Sequence, residues 1–242
     1  MRGIARIIAV ACVATGAAGA ASAATVLDAF TLSFGENSIS SNDPLTGASG
    51  DATFSFADEG EDVRVSVKVT NTTGTTTFGA GATSATLTGF GFDLLTGDMV
   101  AMPNGATLGD ALDTFLTGAA FQPFGSLDVA FADNNNFNGG NANDGLKTGA
   151  MTTGSFLLDT SRDATGAATA YETAFFSGGL QAGLRFQQVN AGEGSDKLVF
   201  VPTTTAPPPP PPPPPSVVPL PAAGVMLLGA LGGLGALRRR RG

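Results

Sequence analysis

Between residues 24 and 201 apolar and polar positions alternate with a period of two. The clearest run is Val63-Arg64-Val65-Ser66-Val67-Lys68-Val69-Thr70. Its four valines point one way and Arg64, Ser66, Lys68 and Thr70 the other, as on a half-buried antiparallel strand and on no helix. Asn71-Thr72-Thr73-Gly74 then supplies turn chemistry. Shorter runs of the same kind fall at residues 26–34, 52–56, 85–94, 127–131, 155–158, 183–189 and 197–201, separated by Gly and Asn/Asp clusters. Eight short strands with Gly-rich turns predict an all-β fold, a single antiparallel β-sandwich of jelly-roll-like form. Residues 109–117 and 167–176 break the pattern, and each predicts a short helix, the first with Leu112, Phe115 and Leu116 on one face.

Both ends of the chain read differently from this body. Residues 1–23 carry Arg2 and Arg6, an apolar run over 7–18, and the small residues Ala21, Ser22 and Ala23. That order predicts a secretory signal peptide cut after Ala23. After the body, residues 202–217 form a Thr/Pro-rich linker with nine consecutive prolines, 207–215. Polyproline rises ~3.1 Å per residue, so this stalk would span about 28 Å. Residues 218–242 hold Val218, Pro219, Leu220, Pro221 and Ala222, then 16 uncharged residues from 222 to 237, then Arg238, Arg239, Arg240 and Arg241. With Val217 and the motif the apolar stretch reaches the ~17–25 residues of a membrane span. The four arginines should hold its end on the cytoplasmic side.

Composition narrows the chemistry. The segment between the two ends has six positive residues, Arg64, Lys68, Lys147, Arg162, Arg185 and Lys197, against all 20 acids of the chain. Such a surface repels nucleic acid and anionic membrane. Cys12, in the leader, is the one cysteine, and there is no His and no Trp. The mature domain therefore has no disulfide, no zinc site of the usual ligands, and no Ser-His or Cys-His catalytic arrangement. The 17 Phe and one Tyr fall mostly on the expected strands, where they read as core rather than as a sugar platform, which usually uses Trp or Tyr. Catalysis would have to rest on a pair of carboxylates. The densest acids, Asp58-Glu59-Gly60-Glu61-Asp62, read as a solvated turn, and no enzyme is expected.

Two stretches raise calcium. Asn134, Asn136 and Asn138 occupy positions 1, 3 and 5 of an EF-hand-like loop with Gly139 at 6, but Gly145 stands where the bidentate Glu belongs. A Ca²⁺ site here would need Asp133 and Asp144 as well; the plain alternative is a surface turn whose asparagines cap themselves. Residues 191–199, Ala-Gly-Glu-Gly-Ser-Asp-Lys-Leu-Val, match the calcium-binding β-roll nonapeptide with one change, in a single copy where the motif works by stacking. A hairpin turn explains the same residues.

The tail carries the sharper signal. Motif, apolar run and arginines together resemble the PEP-CTERM class of bacterial sorting signals, in its VPLPA variant. The resemblance covers about the last tenth of the chain. It implies recognition by an exosortase-like membrane protease and an association with bacteria that make exopolysaccharide. Residues 87–94 and 185–189 are similar to the body of uncharacterised proteins bearing such signals, and imply no active residue. The expectation is an exported protein of the cell surface or extracellular matrix, transiently anchored in the inner membrane, structural or adhesive in role. A calcium-dependent carbohydrate-binding module, and behind it a carboxylate-dependent glycosidase, are the alternatives.

Overall fold

The valine stripe becomes β4 (Asp62–Asn71), the middle strand of an antiparallel sheet, with Val63, Val65, Val67 and Val69 all buried. The computed structural model describes residues 27–101, 106–138 and 142–202, all within a unit that ends at Thr203. Around β4 the first sheet runs β1 (Leu27–Phe34), β3 (Gly50–Glu59), β4, β10 (Met151–Asp159) and β6 (Met99–Val100). The second sheet runs β2 (Ile39–Ser40), β12 (Ser195–Val199), β11 (Ala182–Gln187), β5 (Thr86–Phe92), β8 (Ser126–Ala132) and β7 (Thr114–Ala120), with β9 (Leu146–Lys147) also paired to β5. The pairings are antiparallel throughout. The protein is thus all-β in class, with a single helix, α1 (Ala164–Phe176), among the described residues.

Phenylalanines join the two sheets. The Phe54 ring, on β3, meets Phe90 and Phe92 of β5 at 5.9 and 5.0 Å, edge to face. Such pairs add to plain area burial because ring edges and faces carry opposite partial charge. Helix α1 seals the same core. Its Phe175 lies 5.6 Å from Phe54 and 6.2 Å from Phe92, so it touches both sheets. The helix starts where two carboxylates accept its first amides: Asp163 from Gly166 N and Asp58 from Ala164 N, each at 2.7 Å. These bonds satisfy donors that have no partner inside the helix. Asp58 comes from the acidic hairpin, where Glu59 pairs with Asp62 across Gly60 (φ +69°) and Arg64 bonds Glu59.

The helix expected over 109–117 does not form. Gly109 and Leu112 make an isolated bridge, and Thr114–Ala120 is edge strand β7. Phe115 packs on Phe131 and Phe156, at 5.5 and 5.3 Å, while Leu116 joins a separate cluster on the other side of the sheet. A nine-residue helix with two β-branched threonines is marginal, and pairing with β8 outweighs it. The second helix does form and begins three residues earlier than expected.

In β5 the pairing slips by one residue at Thr88, because Arg185 faces Gly89 and Phe186 faces Leu87. This bulge turns Leu87 and Phe90 both into the core and leaves Gly89 and Gly91 on the outer face. There Gly183 stands beside Gly91. A Cβ on Gly89 would sit 2.5 Å from the Phe137 ring, and one on Gly183 would sit 2.3 Å from Phe121. The three glycines make a floor on which a second apolar cluster lies, holding Phe121, Leu127, Ala130, Phe137 and Val199.

Among the described residues no helix is long and apolar enough to cross a membrane. The leader residues Ala21 and Ala23, the linker from 203 on, the motif residues 218–222 and the arginines 238–241 lie outside the described residues.

Candidate functional site

The Asn-rich loop after β8 folds back over the outer face of the second sheet. Asn134 Oδ1 accepts from Asn136 N at 2.8 Å and Asn136 Oδ1 from Asn138 N at 3.1 Å, so these asparagines cap their own turns. Between them Phe137 is buried against Gly89. Asn138 Oδ1 accepts from Lys197 Nζ at 2.9 Å. Asp133 is buried, and its negative charge acts on Arg185. Arg185 itself is buried and donates to Thr88 Oγ1 at 3.0 Å; burial pulls its pKa down and Asp133 pushes it back up. Two of the five calcium candidates, Asp133 and Asn138, therefore face basic side chains of the protein, Arg185 and Lys197. Asn134 is half-buried, while Asn136 and Asp144 are exposed. Among the described residues no three acidic, His or Cys side chains cluster closely enough to hold a metal ion.

Residues 191–199 form the β11–β12 hairpin and the strand that follows it. Val189 N donates to Gly194 O at 3.0 Å, and Gly192 and Gly194 both have positive φ. Asp196, the acid of the nonapeptide, is buried and bonded. Its oxygens accept from Ser40 Oγ at 2.7 Å, Ser41 Oγ at 3.2 Å and Thr46 Oγ1 at 2.7 Å, which ties β2 and the following loop to β12.

A third place was not singled out by the sequence. Residues 94–100 with Thr117 and Asp128 line an open groove of about 480 Å³. Its floor is held by Asp98, which accepts from Arg162 at 2.9 Å and from the Tyr171 hydroxyl at 3.2 Å. Leu95 N donates to the same hydroxyl at 3.3 Å. Burial raises the Tyr171 pKa, and the charge of Asp98 adds to that, so the phenol keeps its proton and remains a donor. Beside the groove, Asp93 follows the end of β5 and Asp128 lies near the start of β8. Asp93 accepts from Gln181 N at 3.2 Å, and Asp128 from Leu94 N at 2.9 Å. Burial, then the neighbouring Asp128 charge, raises the pKa of Asp93. Both carboxylates are occupied in fixing strand ends. Only the pairing of β5 with β8 brings them together; the one sequence signal was that each is an acid at the end of an apolar run. No family model, curated protein or solved structure matches the chain.

Proposed function

We propose that this protein is exported, displayed on its Pro-rich stalk, and processed at its C-terminus by an exosortase-like membrane protease. Its role is structural or adhesive, at the cell surface or in an extracellular matrix containing exopolysaccharide. The observation that carries this reading is the order of Val218, Pro219, Leu220, Pro221 and Ala222, an apolar run, and four terminal arginines. A leader ending in Ala21-Ser22-Ala23 supports export. An exported domain without a disulfide must be held by its own core, and here that core is built of packed phenylalanines. Within the sandwich, the jelly-roll-like label is supported by repeated crossings between the sheets, as from β1 to β2 to β3 and from β4 to β5. The hairpins β3–β4, β7–β8 and β11–β12, each within one sheet, speak against it.

Fractionation of cells expressing the tagged protein tests the role. The mature domain should co-purify with the exopolysaccharide fraction and be released when the polysaccharide is degraded. Recovery in the cytoplasm, or a distribution indifferent to the polysaccharide, would overturn the proposal.

A further inference from the structure

Lys197 and Asn138 meet on the outer face of the second sheet, with Nζ 2.9 Å from Oδ1. The amine also donates to the backbone carbonyl of Gln122, so both its acceptors are uncharged. Lys197 is fixed in β12 opposite Arg185. Asn138 is fixed by its own amide bond to Asn136 and by the buried ring of its neighbour Phe137. The Lys197 amine has no acid bonded to it and donates to the Asn138 amide oxygen, the atom bonded directly to the amide carbon it would attack. Burial, then the like charge of Arg185, lowers the Lys197 pKa, which favours the neutral, nucleophilic amine.

We propose that Lys197 and Asn138 join in an intramolecular isopeptide bond. The neutral Nζ attacks Cγ of Asn138 and a C–N bond forms. The Cγ–Nδ2 bond then breaks, and Nδ2 leaves as ammonia with one proton from the attacking amine. No oxidant or further reactant enters. The bond closes the chain between 138 and 197 and ties the Asn-rich loop to β12, the strand that leads into the stalk. It gives a domain whose mature sequence has no cysteine the covalent constraint on the unfolded state that a disulfide would otherwise supply.

The test is a tryptic map of the mature, full-length exported protein by mass spectrometry, with Lys197→Arg and Asn138→Ala beside it. The wild type should yield a linked peptide pair containing residues 138 and 197, lighter than their sum by one ammonia, with no tryptic cut after Lys197. Both variants should give ordinary peptides and melt about 10 °C lower, by the loop-closure entropy of a link of this span. Asn138 precedes Gly139, and an Asn-Gly succinimide would also lose ammonia. That product persists in Lys197→Arg and is hydrolysed in mild alkali, whereas the amide survives alkali and vanishes in the variant. A wild-type map with an unmodified Asn138 and cleavage after Lys197 overturns the proposal, as does an ammonia loss retained in Lys197→Arg. The wild-type map decides even if a variant fails to fold.

Discussion

Strand β4 of the first sheet alternates between buried valines and solvent-facing Arg64, Ser66, Lys68 and Thr70, whereas β5 of the second sheet buries all seven of its residues. Over β1, β3 and β4 the first sheet has one dry face and one wet face. On the wet face the Thr31 and Thr53 hydroxyls bond across neighbouring strands at 2.9 Å. The second sheet is dry on both faces over β5, because loops carrying Phe121 and Phe137 lie on its outer glycines. A face covered by loops must be flat where the rings approach. The sequence therefore loses side chains there, and with them the alternation that marks the first sheet.

Substitutions should separate the two sheets. The largest loss belongs to the core they share: Phe54→Ala should cost about 3–5 kcal/mol by denaturant unfolding, since Phe54 packs on rings of both sheets and of α1. Next comes the outer face of the second sheet. Gly183→Ala drives a methyl into the Phe121 ring and should cost about 1–3 kcal/mol. Lys68→Ala, on the outer face of the first, should stay within ~0.5 kcal/mol. Equal costs for those two would dissolve the distinction.

A smaller effect is set by pH. Burial and Asp128 raise the folded pKa of Asp93 above its ordinary 3.8. The stability this group contributes is full below that ordinary value and is lost as pH rises through the folded one. Asp93→Asn should therefore melt higher than wild type at neutral pH and converge with it in acid, in melting curves taken across that range. A constant offset at all pH values would mean that Asp93 acts through its shape and not its charge. The smallest effect is that of the exposed Arg64–Glu59 pair on the wet face. Glu59→Gln should leave the melting temperature unchanged in moderate salt.

Where one face meets water, period two was readable, and all eight expected strands are present with shifted ends. Strands β2, β6 and β9 have two residues each, too few for any period. The sequence around β7 imitates a helical face, because Leu112 and Phe115 turn inward and Leu116 outward. Asn71 read as a turn residue, yet it ends β4 fully buried, donating to the carbonyls of Ala85 and Leu146, each at 2.9 Å. Those partners lie far along the chain, and nothing local announces them. Phe137 read as part of a surface turn for the same reason. The alternating Gly89-Phe90-Gly91-Phe92 was the trace it left, since glycines spaced by two on a strand mark a close approach from outside. The meeting of Lys197 with Asn138 likewise depends on the loop folding over β12.

The tail is where the account is most exposed. Under the proposed processing, Pro219 and Pro221, which fix φ and carry no amide donor, would favour an extended segment just before the apolar run. A protease binds such a segment, whereas a helix hides its backbone. The direct measurement is the mass of the mature C-terminus in cells, in wild type and in a variant with both prolines changed to Ala. The wild type should end within the sorting signal, short of Gly242. The variant should keep its C-terminus at Gly242 and remain in the membrane fraction. A wild-type C-terminus at Gly242 would show that the tail is an anchor and nothing more.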